Sequence, residues 1–226
     1  MNTLLKSILG LSLVLCLASC ASVSFKKTAE EATPHMPAKI YVALFDTTGQ
    51  WNVDREGSEL VAFKTDLQGM LQAGMTTDLT LKLVPAFPTK DLHPKAENAW
   101  LIRGAFTRVN QGSRLLRGTI GFGTGGTKVE TQVEVYNLNT PSAKPFFTFI
   151  TTGGSGAEPG AISGLATSPV TMAIQMAASG AGGIAHGLTE DTARTSRQIT
   201  AVLSDYMYRS GWITKDKWIE PKHLSD

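Results

Sequence analysis

Residues 40–45 read IYVALF and residues 57–72 read GSELVAFKTDLQGMLQ, and these two neighbouring segments decide the class of fold. The first segment is apolar on both alternating faces, which is typical of a central strand covered on both sides. The second has apolar residues at helical spacing, and Gly74 is predicted to end this helix as its C′ residue. A strand that leads into an amphipathic helix predicts a domain that combines a sheet with helices.

Two further strands are predicted in the first half of the chain. Leu79–Val84 (LTLKLV) has the composition of a strand, and two prolines, Pro85 and Pro88, are predicted to end it. Ala99–Val109 (AWLIRGAFTRV) follows as a longer strand. One of its faces is predicted to consist of Trp100, Ile102, Gly104 and Phe106.

A hairpin is predicted in the second half of the chain. In the segment Val129–Val135, valine and threonine alternate with Glu130, Gln132 and Glu134, which is typical of a strand with one buried and one wet face. Pro145–Thr152 (PFFTFITT) is its predicted partner strand.

A helix is predicted near the C-terminus. Thr189 is its predicted N-cap, and Glu190 and Asp191 would then lie in the first turn, at the positive end of the helix dipole. Core spacing continues to Met207, and Gly211 is predicted to close the helix. Together these elements predict a single α/β or α+β domain, with a mixed β-sheet packed by two or three helices.

The N-terminus reads MNTLLKSILGLSLVLCLASC, with an apolar run that is too short to span a bilayer. This pattern predicts a secretory signal peptide over residues 1–19. Leu17-Ala18-Ser19-Cys20 resembles the bacterial lipobox, in which the cysteine thiol receives a diacylglycerol and the chain is cleaved before it. The alternative is a plain secretory signal that is cleaved near Ala18 or Ala21.

A lipidated Cys20 would hold the protein at a membrane without spanning it. Ala21 stands where an Asp would resemble the inner-membrane retention signal, so the resemblance implies the outer membrane and a periplasm-facing domain. Residues 20–38 have no regular apolar period and are predicted to form a flexible tether, which leaves 39–226 as the periplasmic domain. Cys16 and Cys20 are the two cysteines, so a mature chain would have no disulfide and no cysteine metal site.

Composition and motifs argue against several classes of function. A net charge of +2 is too balanced for a protein whose main partner is nucleic acid. Gly121–Gly126 fits G-x-G-x-x-G, but a strand is predicted after it, and a dinucleotide motif must open a helix. The histidines lack metal-ligand spacing, and no nucleophile lies at a suitable spacing from a base. The sequence therefore predicts no enzyme, no cofactor and no metal site. The four histidines are His35, His93, His186 and His223.

The candidate ligand-binding residues are four arginines around Gly112: Arg103, Arg108, Arg114 and Arg117. Guanidinium groups bind carboxylates and phosphates in a bidentate manner, which suits an envelope protein or glycan as the partner. The alternative is that these arginines cover strand faces and pair with Glu130 and Glu134 across a hairpin.

The stretch between Glu158 and Glu190 contains no Asp, Glu, Lys or Arg and is rich in Gly and Ala. Within it, Ser168-Pro169 predicts the cap and first position of a helix. Three interpretations stay open: a buried helix or glycine-rich loop of the soluble domain, an assembly face, or a bilayer-inserting segment of an oligomeric pore. The last two would use Ala161–Leu188 for oligomerisation.

Residues 102–125, IRGAFTRVNQGSRLLRGTIGFGTG, resemble the bacterial domain-of-unknown-function 4410 family. Four features carry the resemblance: a strand ending in Gly-Ser-Arg, a further Arg, a Gly-Phe-Gly segment and a strand of the 129–135 kind. It extends to the closing Gly211-Trp212-Ile213, and so covers about Ile40 to Ile213. The family implies a lipoprotein or periplasmic protein without an established activity or catalytic residues.

The expected function is therefore that of a lipid-anchored accessory that binds or assembles other components of the cell envelope. The alternative is an oligomeric component of an outer-membrane export or channel assembly.

Overall fold

The structure is a computed structural model that describes seven ranges of the chain. They are residues 22–26, 35–95, 97–112, 126–140, 144–154, 168–177 and 186–222. Within these ranges seven strands form one mixed sheet. Two long helices pack against one of its faces, and a third, shorter helix packs on those two helices. This confirms the predicted fold class, a single α/β domain with a mixed sheet.

The strands are β1 (Ser22–Lys26), β2 (Lys39–Ala43), β3 (Gln50–Asn52), β4 (Ala86–Thr89), β5 (Ala99–Asn110), β6 (Lys128–Asn137) and β7 (Phe147–Gly154). The helices are α1 (Gly57–Lys82), α2 (Pro169–Ala177) and α3 (His186–Arg209). The sheet order is β1-β7-β6-β5-β2-β4, and β3 also pairs with β5. β2 lies parallel to both β4 and β5, whereas β5, β6, β7 and β1 form an antiparallel series.

α1 is longer than the sequence predicts, because it passes through Gly74 and ends at Lys82. The predicted stop at Gly74 and the predicted strand at Leu79–Val84 are therefore wrong. A Cβ on Gly74 would lie 2.8 Å from Cδ1 of Ile174, so the glycine makes room for α2 inside a continuing helix. Met75 and Leu79 extend the buried stripe of α1, and this packing overrides the strand-like composition of the segment.

The strand that follows α1 is β4, which the sequence analysis did not predict. It lies at one edge of the sheet, with Pro88 opposite Val42 of β2. A proline is tolerated at this position because an edge strand has no second neighbour that needs its missing N–H.

The central strands agree with the predicted patterns. Trp100, Ile102 and Phe106 of β5 are buried on the helix side. On β6 the buried valines alternate with half-buried polar residues, and β7 pairs antiparallel with β6 over Val135 to Lys128. The predicted hairpin and the predicted face of Ala99–Val109 are thus confirmed.

α2 begins as the sequence predicts, because the Ser168 hydroxyl accepts a hydrogen bond from the Thr171 amide at 3.1 Å. Ile174 is buried against α1, whereas Met172 and Met176 are exposed. The described part of Ala161–Leu188 therefore includes a helix of the folded domain. Within the ranges above, no helix has the length and hydrophobicity that crossing a bilayer requires.

α3 begins at His186, so the predicted N-cap at Thr189 is wrong. Thr189 is buried one turn inside the helix, and Asp191 is fully buried rather than exposed in a first turn. The cause is tertiary: the first turn of α3 packs against the sheet, with Gly187 next to Thr127. The predicted end is confirmed, since Gly211 has φ +73 in the left-handed region.

The first described residues form a strand. Ser22–Lys26 pairs antiparallel with β7, although the sequence analysis includes these residues in a flexible tether over 20–38. Cys20 and the signal peptide lie outside the described residues.

Candidate functional site

The outer face of the sheet is the face opposite the three helices. The strand registers arrange its side chains in four rows. From one end of the strands to the other, these are Phe87, Tyr41, Leu101 and Tyr136; then Arg103, Glu134 and Thr148; then Ala105, Gln132 and Ile150; and finally Arg108, Glu130 and Thr152.

A bulge in β5 places two of the predicted arginines on this face. The register between β5 and β6 shifts between Phe106 and Arg108, so Thr107 is an extra residue. Without the shift, strict alternation would turn Arg108 toward the helices and Val109 away from them. With the shift, Val109 is buried, and Arg103 and Arg108 project from the same face, about 13 Å apart along the strand.

Arg103 lies directly opposite Glu134, as the predicted pairing across a hairpin requires. The carboxylate of Glu134, however, is engaged by its own strand. Tyr136 donates its hydroxyl to Oε2 at 2.7 Å, and Gln132 donates to Oε1 at 3.2 Å. The Arg103 guanidinium instead lies 5.1 Å from the centre of the Tyr136 ring, and it forms no ion pair with any residue the structure describes.

The phenol of Tyr136 stays protonated in this arrangement. Partial burial raises its pKa to about 12, and the hydrogen bond to Glu134 and the negative charge of Glu134 act in the same direction, against a smaller effect of Arg103. Tyr136 therefore remains a donor at neutral pH, and keeps the Glu134 carboxylate directed along β6 and away from Arg103.

Arg108, at the other end of the face, also lies opposite a carboxylate that is engaged by another residue. It lies opposite Glu130, whose carboxylate pairs with the ammonium group of Lys128 on the same strand. Arg108 is exposed and, among the described parts of the chain, has no ion-pair partner. Two guanidinium groups on one open face thus retain donors for an anionic group from outside.

The other predicted site residues fall outside the described ranges. Arg114 and Arg117 lie between Gly112 and Gly126, and Cys20 lies before β1. The structure brings Arg103 and Arg108 onto one face and does not describe the position of the other two arginines. Over the described residues, no group of three or more His, Cys, Asp or Glu side chains is placed to hold a metal ion.

A second charged cluster, which the sequence analysis missed, joins α3 to the end of β7. Arg194 contacts Asp191 Oδ1 at 3.0 Å and donates to the Gly154 carbonyl oxygen at 3.2 Å. A Cβ on Gly153 would lie 2.5 Å from the Thr195 hydroxyl, so β7 and α3 approach closely. The i,i+3 spacing of Asp191 and Arg194 was a usable sequence signal, but it gave no indication that the pair would be buried.

Burial determines the protonation of this cluster. Desolvation raises the pKa of Asp191 to about 6, although Thr127 and Arg194 oppose the shift. Burial likewise raises the pKa of Asp78 on α1, where Thr200 and Arg197 of α3 act in the opposite direction. Both acids lie between packed elements and not in an open cleft, so we interpret them as structural residues.

Comparison with known proteins identifies the family of the chain. A family described as a domain of unknown function, DUF4410, matches residues 35–171, from just before β2 into α2. The chain belongs to this family. The DUF4410 match confirms the resemblance to the family up to residue 171, and it includes Arg103, Arg108 and the whole antiparallel hairpin. No curated protein gives a significant match to the chain.

Two solved structures share a distant likeness with this DUF4410 chain. The PelC dodecamer from Paraburkholderia phytofirmans, in space group P6, has 10% sequence identity and a TM-score of 0.37, and the match covers 70% of this chain and 94% of that chain. A single-substitution variant of the same dodecamer, in space group C2, has 12% identity and a TM-score of 0.33, with 78% and 99% covered.

Proposed function

We propose that this protein is a lipid-anchored accessory of the bacterial cell envelope, without catalytic activity, that binds an envelope protein or glycan through the outer face of its sheet. The lipobox-like sequence at Cys20 supports the anchor, and with Ala21 after it supports an outer-membrane location facing the periplasm. The observation that carries the binding function is the pair Arg103 and Arg108, whose opposite carboxylates are engaged elsewhere.

The chemistry of this face determines the class of ligand. A guanidinium group that stacks on an aromatic ring keeps its N–H donors at the edge, where they can bind a carboxylate in a bidentate manner. Glu134 and Glu130 would repel an anion that approached from their side of the arginines, and so favour an approach over β5. A carboxylate-bearing surface of a protein or of an envelope glycan fits this arrangement.

A cross-linking experiment in cells tests the proposal. A photoreactive amino acid at Ile150, an exposed position of the outer face, should capture a partner, whereas one at Leu81, an exposed position of α1, should not. Arg103→Ala plus Arg108→Ala should reduce the Ile150 adduct at least fivefold. Lys90→Ala plus Lys95→Ala removes the same charge from exposed loop positions and should leave the adduct unchanged.

The conservative variant separates the bidentate geometry from charge alone. Arg103→Lys plus Arg108→Lys keeps both charges but loses the planar fork, so we expect an intermediate loss of adduct. An adduct that persists undiminished in the double alanine variant would rule out this face as the binding site.

One observation favours a second candidate, an oligomeric component of an outer-membrane export or channel assembly. Met172 and Met176 are 54% and 73% exposed on the outer side of α2, within the charge-free stretch Ala161–Leu188. Exposed apolar side chains of this kind are typical of interaction surfaces. The size of the particle in solution distinguishes this candidate from the accessory.

A further inference from the structure

We infer that the domain lies directly on the bilayer surface, with one particular end of the sheet in contact with the lipid headgroups. This inference rests on the proposed lipid anchor at Cys20. We call this end the anchor end. It comprises the residues at the same end of five strands: Asn52, Asn110, Lys128, Gly154 and Ser22.

The register of β1 sets the distance between the anchor and the fold. Ser22 is already paired with Thr152 of β7, so only Ala21 separates the sheet from Cys20. A fully extended chain spans at most about 3.6 Å per residue, which places the Cys20 Cα within about 7 Å of the Ser22 Cα. A flexible tether from Cys20 to Lys39 would instead have allowed about 65 Å.

The direction of β1 identifies the end of the domain that faces the lipid. β1 starts at Ser22, opposite Thr152, and ends at Lys26, opposite Thr148. The chain therefore leaves the anchor end and runs toward the opposite end of the sheet. Thr152 lies opposite Glu130, and Glu130 opposite Arg108, so the last row of the outer face lies close to the anchor end.

The described residues of the anchor end suit headgroups rather than hydrocarbon. Asn52 is exposed, and Asn110 and Gln111 are half-buried polar residues at the end of β5. Lys128 is 40% exposed, and Arg55 donates to the Gln111 side chain at 2.5 Å. Polar and charged groups of this kind are stable at the depth of the headgroups but costly in the acyl region, so these residues rest on the bilayer surface without entering it.

This orientation restricts the partner of the outer face. The row that contains Arg108 lies near the headgroups, and the row that contains Tyr136 lies about 20 Å farther away, six residues along β6. The face is therefore directed sideways along the membrane. Its partner must itself lie beside the membrane, as an integral or similarly anchored protein or as a glycan layer close to the bilayer.

Depth-dependent fluorescence quenching tests the orientation. A lipidated Cys20 has no free thiol, so single cysteines can be labelled elsewhere in the full lipidated chain. Lys128→Cys places a label at the anchor end, and Thr140→Cys places a matched label just beyond the other end of the same strand, β6. Both proteins are reconstituted in vesicles of phosphatidylethanolamine and phosphatidylglycerol that contain a lipid with a nitroxide headgroup.

The expected result is a loss of at least half of the fluorescence at position 128 and of less than a tenth at position 140. Equal quenching at both positions, or stronger quenching at 140, would overturn the orientation. An insertion of ten Gly and Ser residues between Ala21 and Ser22 should abolish the difference while the protein stays bound to the vesicles. A difference that survives this insertion would show that β1 does not set the orientation.

A separate control keeps the anchor and the orientation distinguishable. Cys20→Ser in the same two proteins should prevent their recovery with the vesicles, which tests the proposed anchor alone. Membrane recovery that does not depend on Cys20 would contradict the proposed function. Recovery that depends on Cys20, combined with equal quenching at the two labels, would contradict only the orientation.

Discussion

At the scale of single residues, the least expected feature is the ion pair between Asp191 and Arg194 within α3, whose arginine also donates a hydrogen bond to Gly154 of β7. Asp191 is fully buried, and its Oδ1 atom contacts Arg194. A buried carboxylate is costly in its charged form, because the protein interior solvates it less well than water does. The protonation of Asp191 should therefore affect the stability of the fold.

We expect Asp191 to make the protein more stable at pH 5 than at pH 7. Its pKa is about 6 in the folded protein and about 3.9 in an unfolded chain, so between these values the folded state binds the additional proton. Stability then rises as the pH falls through this window, by about 1 kcal/mol between pH 7 and pH 5 from this group. Urea unfolding at the two pH values measures the change.

Two variants isolate the contribution of Asp191. Asp191→Asn should remove this part of the pH dependence, because the amide does not titrate, whereas Asp54→Asn removes an exposed carboxylate and should leave the dependence as it is. If Asp191→Asn has the same pH dependence as the parent protein, burial does not raise the pKa of Asp191.

At the scale of elements, β1 differs most from what the sequence predicts, which is a flexible tether over these residues. Its residues Ser22–Lys26 lack a strong apolar pattern, and they form a strand because β7 offers them an unpaired edge. Similarly, α1 continues through Gly74 because α2 packs there. In both cases a neighbouring element, distant in sequence, overrides a local preference.

Removal of β1 should destabilise the soluble domain. A chain that starts at residue 27 would leave the edge of β7 unpaired. We expect its free energy of unfolding to be about 2 kcal/mol lower than that of a chain that starts at residue 22. For a domain of this size the change corresponds to roughly 4–8 °C in Tm. Thermal unfolding of both chains measures it, and amide exchange at Ile150–Thr152 should become faster without β1.

The alternative interpretation makes a different prediction. If residues 22–26 act as part of a flexible tether, both chains should unfold at the same temperature, and amide exchange in β7 should be equal in the two.

At the scale of the whole molecule, the two ends of the sheet differ in character. The end opposite the anchor end holds an aromatic cluster, in which the Trp100 ring centre lies 4.9 Å from Phe146, 6.0 Å from Tyr206 and 5.9 Å from Trp212. Through this cluster the C-terminal part of α3 packs against the sheet. The described residues of the anchor end are mainly polar, so packing stabilises one end of the sheet and the described part of the other end suits contact with headgroups.

The proposed accessory should be a monomer in solution. Light scattering on residues 21–226 should give the mass of one chain, with and without mild detergent, because the outer face of the sheet carries mainly polar and charged side chains. A larger particle would favour the second candidate. In that case Met172→Gln plus Met176→Gln should dissociate it, whereas Leu81→Gln, which changes an exposed apolar residue of α1, should not.

The sequence by itself determined the elements whose patterns are local and strong. Each of these patterns lies within a few residues of the chain: the alternation in Val129–Val135, the apolar face of β5 and the Ser168 cap of α2. The DUF4410 motif also lies in one segment. The sequence also singled out Arg103 and Arg108. Periodicity and capping follow from local geometry, which one chain segment contains in full.

Only the tertiary structure decided the remaining features. The continuation of α1 through Gly74, the early start of α3 and the pairing of β1 all depend on partners far away in the chain. The same holds for the two arginines, since a bulge in β5 directs Arg108 outward and the contacts of Tyr136 leave Arg103 without an ion pair to any described residue. Packing energies act between segments, and no local pattern contains them.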